Sequence, residues 1–218
     1  MKHRLSLLIL LFVVFASCDR KHEVVYRSEE PISSGYYVTN FLPHLPRSGL
    51  TFIPLVSYQQ TTEYTCGPAS VITLLRYYGR EGDEMTIAEE MGTSTTCGTN
   101  PDQMTDWLNR NGFTATWKEG GTLELIRENL DAQRPVLVEW SDWGGHWVVA
   151  IGYDTRNTTN PMDDVIIFAD PYDHHDDNPD GFDTFNAQRF YYMWYDALLF
   201  GKVMRRIYIL AIPLMPAE

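Results

Sequence analysis

The second half of the chain alternates between apolar runs of strand length and short polar breaks. Residues 135–140 (Pro-Val-Leu-Val-Glu-Trp), 146–153 (His-Trp-Val-Val-Ala-Ile-Gly-Tyr) and 164–170 (Asp-Val-Ile-Ile-Phe-Ala-Asp) are rich in β-branched and aromatic residues and read as strands. A polar turn at 154–161 separates the second from the third, which makes them candidate antiparallel neighbours. Residues 113–117 form a short strand and 206–214 a closing one, while 36–38 and 50–56 also suit strands, with Pro43 and Pro46 between them.

The first half reads as helices. An apolar stretch follows Cys66-Gly67-Pro68 and stops at Gly79, and proline suits a first helical turn because its missing N–H is not needed there. Thr86, with Glu89 three residues on, is a cap for a short helix that ends at Gly92. A Ser/Thr-rich loop over 93–99 holds Cys97. Asn100 then caps a helix with Pro101 in its first position and Gly112 at its stop; Met104, Trp107 and Leu108 fall at helical spacing and read as core. Thr122 caps a helix through 130, and 186–199, dense in Tyr, Trp and Phe, reads as a last helix. Helices first and mostly strands afterwards predict an α+β fold, a helical part packed on an antiparallel sheet.

The chain has 218 residues, 44% apolar and 13% aromatic, enough for one buried core plus an N-terminal extension. A net charge of -12 argues against a nucleic-acid partner, which needs a basic face. Lys2 and Arg4 precede an apolar run at 5–15 that has signal-peptide length and is too short to span a membrane comfortably. It closes on Phe15-Ala16-Ser17-Cys18, which resembles the lipobox of bacterial lipoproteins, with Phe15 where that motif usually has Leu. The resemblance implies that Cys18 becomes the lipidated first residue; an ordinary signal peptide with an incidental cysteine is the alternative. The organisation expected is a signal peptide at 1–17, a tether and N-terminal segment at 18–49, and a folded domain at 50–218. The protein is then a monomer held at a bacterial membrane outside the cytoplasm, with 24–50 long enough to cover a cleft.

Candidate chemistry centres on Cys66. A cysteine at a helix start meets unpaired first-turn N–H groups and the positive end of the helix dipole, and both favour the thiolate, the nucleophilic form. Gln60, six residues earlier, is placed to donate its side-chain amide beside the Cys66 N–H, giving two donors for an oxyanion. In an oxidising compartment a Cys66–Cys97 disulfide is the alternative use of the two remaining cysteines.

A thiol nucleophile needs a base, and six histidines exist. His3 belongs to the signal, His22 to the tether, His44 lies between prolines, and His174 and His175 sit in an acidic loop. His146 opens an apolar strand after Gly144-Gly145 and is the candidate base. Asp170 ends the next strand; antiparallel pairing brings it beside His146 as the group that orients the ring. Asp154 lies at the wrong end of the His146 strand, and Asp142 and Asp173 have no such placement. Asp176, Asn178, Asp180 and Gly181 fit the opening of a calcium loop, but Ala187 stands where its glutamate belongs, so a solvated acidic turn is expected and no cofactor is predicted. Trp140, Trp143 and Trp147 crowd the His146 strand as core or cleft wall.

Taken in order, Gln60, Cys66-Gly67-Pro68-Ala69, Gly145-His146-Trp147-Val148-Val149 and Ala169-Asp170-Pro171 resemble the papain-like cysteine peptidases, and within them the C-thirty-nine-like, bacteriocin-leader-processing group, from about 53 to 214. The resemblance implies a papain-like fold with Cys66 as nucleophile, His146 as general base, Asp170 as its orienter and Gln60 as oxyanion donor. The chain shows no transporter segment and opens on an export signal, so double-glycine leader cleavage is not the expected reaction. The expectation is a membrane-anchored cysteine peptidase acting on a peptide or protein substrate. An acyl transferase, a cell-wall amidase, or a non-catalytic surface binding protein with Cys66 in a disulfide are the alternatives.

Overall fold

A computed structural model describes residues 48–173, 180–196 and 201–214. The signal peptide, Cys18, the tether, the strand expected at 36–38 and most of the calcium-loop candidate lie outside the described residues. So do His3, His22, His44, His174 and His175.

The elements run β1 (Leu50–Phe52), α1 (Cys66–Tyr77), α2 (Glu84–Met91), α3 (Pro101–Arg110), β2 (Phe113–Lys118), α4 (Leu123–Asp131), β3 (Val136–Trp140), β4 (His146–Asp154), β5 (Val165–Ala169), β6 (Phe182–Asn186), α5 (Ala187–Met193), β7 (Tyr195–Asp196), β8 (Met204–Arg205) and β9 (Tyr208–Pro213). Six strands form an antiparallel path in the order β2-β9-β3-β4-β5-β6, and β1 joins the far end of β4 by pairing Leu50 with Asp154. Among the described residues, β7 and β8 make a separate two-stranded ribbon. The fold is α+β, with α1 against β4, α2 against α1, and α3 against β2 and β9.

The core sits between α1 and the sheet and continues on the sheet's other side as an aromatic cluster. Trp140 meets Phe168 edge-on at 4.9 Å, and Phe190 stacks on Trp194 at the same spacing. Met104, Trp107 and Leu108 are buried in it, as their spacing predicts. Every residue of α1 from Cys66 to Leu75 is buried, so this helix is an interior element with little polar face.

Four boundaries differ from the sequence reading, the first being the strand expected at 50–56, which is Leu50–Phe52 alone. The cap of α2 is Asp83, in an extended conformation, whose carboxyl accepts from the Thr86 N–H at 2.9 Å and the Thr86 hydroxyl at 2.8 Å. Thr86 therefore lies inside the helix, and the stronger acceptor three residues earlier wins the capping role. The helix expected over 186–199 is shorter. Residues 182–186 pair with β5, Asn186 caps α5 by accepting from the Arg189 N–H at 3.1 Å, and the helix ends at Met193. The Trp194 indole donates to the Ile207 carbonyl at 2.8 Å and Tyr195 pairs with Arg205, so tertiary partners override an aromatic run that suits helix and strand alike. The closing strand expected at 206–214 starts later, at Tyr208, because Arg206, at φ 53°, breaks the chain between β8 and β9.

Candidate active site

Cys66 is the first residue of α1 and is 7% exposed. Its N-cap, Thr65, makes no side-chain capping bond, Pro68 has no N–H, and among the described residues no acceptor serves the N–H of Cys66 or Gly67. The helix therefore presents open donors at the thiol, the arrangement that attracts negative charge. Gly67 is required by close approach: a Cβ there would lie 2.9 Å from the Thr99 Cβ and Oγ1. The Trp147 indole donates to the Thr99 carbonyl at 2.8 Å, which ties the 93–99 loop to β4 beneath the site.

His146 is the first residue of β4 and is 3% exposed. Its Nε2 lies 2.7 Å from Asp170 Oδ1, so Nδ1 is the ring nitrogen left for Cys66, whose thiol lines the same cleft. The Ser70 hydroxyl, one turn after Cys66, donates to the Trp147 carbonyl at 2.9 Å and so fixes the helix that carries the thiol to the strand that carries the imidazole. Trp140 flanks the imidazole with ring centres 5.8 Å apart. Trp140 and Trp147 are core residues; the side chain of Trp143 lies outside the described set.

Asp170 follows β5, whose Ala169 pairs with Val149 of β4, so the end of one strand lies beside the start of the other. The carboxyl is fully buried, and Oδ1 also accepts from the Tyr172 N–H at 2.7 Å. Its backbone carbonyl accepts from the Ser57 hydroxyl and the Gln59 amide, both at 2.9 Å. Asp154, at the other end of β4, accepts instead from the Arg156 N–H, and Asp173 accepts from the Gly181 N–H.

Burial alone would lower the proton affinity of His146. The Asp170 charge and hydrogen bond, together with the bond and charge of Cys66, overcome it and raise the pKa to about 10. The folded value lies above the unfolded one, so the stabilisation from this proton is complete below about pH 6.5 and is lost as pH rises through the raised value. Asp170→Asn removes the largest raising cause. Its expected result is an alkaline limb of activity moved down from near 10 toward the ordinary histidine range. Its stability deficit is expected to be larger at neutral pH than at high pH. Rate profiles and thermal melts across pH check both.

Gln60, Cys66 and His146 line one cleft of about 390 Å³, walled further by Tyr64, Cys97 and Tyr172. The Gln60 backbone N–H donates to the Pro171 carbonyl at 2.8 Å, which docks its loop against the segment after Asp170. Its side chain departs from the expected aim, because Nε2 donates to the Thr62 carbonyl at 2.6 Å. An amide nitrogen carries two hydrogens, so one is not used by that bond. Both Cys66 and Cys97 are free thiols, and the disulfide alternative is not the state of this structure. Among the described residues there is no group of three potential metal-ligating side chains, and no helix is long and apolar enough to cross a membrane.

One further group escapes sequence reasoning. Glu84, at the start of α2 and 2% exposed, accepts from the Thr61 N–H, the Thr65 hydroxyl and the Tyr58 hydroxyl. An acidic residue in the first turn of a helix is ordinary, and no local signal in the sequence separates it from its neighbours.

Residues 52–197 match a protein-family model described as the Peptidase_C39 like family. Among solved structures, the peptidase domain of Streptococcus ComA, a bi-functional ABC transporter involved in a quorum sensing pathway, superposes with a TM-score of 0.54 at 17% identity. The match covers 73% of this chain and 99% of that one. A double glycine motif protease from an AMS/PCAT transporter, solved with its leader peptide, gives 0.50 at 16% identity and covers 74% and 94%. A comparison with curated protein sequences finds no match.

Proposed function

The chain belongs to the Peptidase_C39 like family, and on that premise we propose that it is a cysteine peptidase that uses Cys66, His146 and Asp170, with Gln60 and the Cys66 N–H as oxyanion donors. The observation that carries the reading is the pairing of His146 with Asp170 at 2.7 Å in a cleft that Cys66, His146 and Gln60 line together.

The chemistry follows from those contacts. With its pKa raised, His146 holds its proton at neutral pH, and a cysteine beside a protonated histidine reacts as its thiolate. The sulfur attacks the substrate carbonyl carbon, and the carbonyl electrons move onto oxygen, where the open N–H of Cys66 and the second Gln60 amide hydrogen receive them. Collapse breaks the C–N bond, and the proton on Nδ1 goes to the departing amine. Acylation removes the Cys66 charge and its bond to the ring, two of the causes that raise the proton affinity of His146. The imidazole is then free to take a proton from water as it attacks the thioester, and the C–S bond breaks. Asp170 keeps the ring in one tautomer throughout.

The proposal extends to location: an exported protein carrying a lipid on Cys18, with a peptide or protein as substrate. The double-glycine protease was solved with its leader peptide, which supports a peptide as the class of ligand. The test is to incubate the full chain in detergent with a peptide mixture, with and without added primary amines, and to read product masses. Hydrolysis gives products heavier by water whether or not amine is present. Products carrying the amine in place of water would make the protein an acyl transferase, and no new products would fail the reading. A diacylglyceryl mass increment on the Cys18 peptide tests the anchor; its absence fails that part.

A further inference from the structure

Both proposed oxyanion donors sit next to a residue held by Glu84. Thr61, which follows Gln60, gives its N–H to Glu84 Oε1 at 2.9 Å and to Oε2 at 3.2 Å. Thr65, which precedes Cys66, gives its hydroxyl to Oε1. The Tyr58 hydroxyl closes the cluster on Oε2 at 3.2 Å. One buried carboxyl group thus grips the loop from 58 to 65 at both ends, from a different helix.

The grip on Thr65 has a second consequence. Threonine at an N-cap normally turns its hydroxyl onto the N–H of the second or third helical residue. Here the third is Pro68, and the Thr65 hydroxyl is committed to Glu84 with Thr62 beside it, so the start of α1 stays uncapped and its donors stay directed at the cleft.

We propose that Glu84 is a positioning residue for the oxyanion site, fixing Gln60 through Thr61 and the Cys66 N–H through Thr65. It touches neither substrate nor sulfur. The inference rests on the reading of Gln60 and Cys66 as oxyanion donors, and it assigns Glu84 an effect on carbonyl chemistry with none on the intrinsic reactivity of the thiol.

The experiment compares the full-length wild type with Glu84→Ala, Glu84→Gln and Thr65→Val in three measurements: peptide turnover, affinity for a peptide aldehyde, and the rate of Cys66 alkylation by chloroacetamide. The aldehyde accepts the sulfur at its carbonyl carbon and develops an oxyanion, whereas alkylation displaces chloride at a saturated carbon and needs no such donors. For Glu84→Ala the expected result is a fall in kcat of about 10- to 100-fold, the scale of an ångström-sized misplacement. KM and the alkylation rate are expected to stay close to wild type, with aldehyde affinity falling alongside kcat. Glu84→Gln keeps one oxygen for Thr61 and Thr65 and recovers most of the loss. Thr65→Val shows the same split in smaller measure and decides the matter if Glu84→Ala does not fold. Unchanged kcat and aldehyde affinity, or alkylation falling in parallel with them, overturns the assignment. A wild type that takes up aldehyde but turns over no peptide fails the hydrolase reading alone; one that does neither overturns both.

Discussion

Cys66→Ala abolishes peptide turnover, a loss on the order of 10⁶-fold if the thiol is the nucleophile, the scale seen when the attacking atom of a hydrolytic triad is deleted. The fold is expected to survive. Alanine is the strongest helix former, the position opens α1, and the loss is one sulfur at the mouth of the cleft. Everything else in the site stays: His146 keeps Asp170, and the N–H donors of the helix start remain in place. The variant should therefore still bind substrate while forming no acyl-enzyme. Thermal melts, substrate binding and intact mass after substrate addition check these points together. Residual turnover within tenfold of wild type would remove Cys66 from the mechanism.

His146→Ala is the second large effect, about 10²-fold or more, the scale for loss of a positioned acid–base group. Two functions go at once. The leaving amine loses its proton donor, and Cys66 loses the cationic partner that the raised pKa of His146 provides at neutral pH. Asp170 remains buried, but its Oδ1 still accepts from the Tyr172 and Asp173 N–H groups, so the strand end keeps its shape. Added imidazole is expected to restore part of the rate. Turnover near wild type, with a wild-type pH profile, would contradict the role.

The sequence makes the elements near the chemistry legible because their physical signals are strong there. Asn100 and Thr122 cap α3 and α4 by accepting from the Gln103 and Leu125 N–H groups, and Pro101 follows its cap, because cap chemistry is local. The nearness of Asp170 to His146 follows from antiparallel pairing across a polar turn, a consequence of period and length alone. The rest depends on contacts distant along the chain. Asp83 displaced Thr86 as a cap because two acceptors competed within three residues. Strand β6 and the early stop of α5 arise from β5 and β8, and nothing in an aromatic run announces a pairing partner. Glu84 reaches Thr61 and Thr65 across about twenty positions, and Ser70 reaches Trp147 across seventy-seven. Such bonds decide where a thiol and an amide point, and they leave no trace in local spacing. The side-chain bond from Gln60 to Thr62 is local, yet an amide's choice between its own loop and the cleft depends on backbone geometry that spacing does not encode.

The central claim is that Cys66 and His146 act as one charged pair. Alkylation of the full chain without reductant, followed peptide by peptide from pH 5 to 9, tests it most directly, with Cys66 and Cys97 read separately and His146→Ala beside wild type. The account predicts that both cysteines label as free thiols. Cys66 is expected to react fast already at acid pH and to lose that advantage in His146→Ala, while Cys97 is unchanged by the substitution. Equal Cys66 profiles with and without His146, or no labelling of either cysteine until reductant is added, would contradict it.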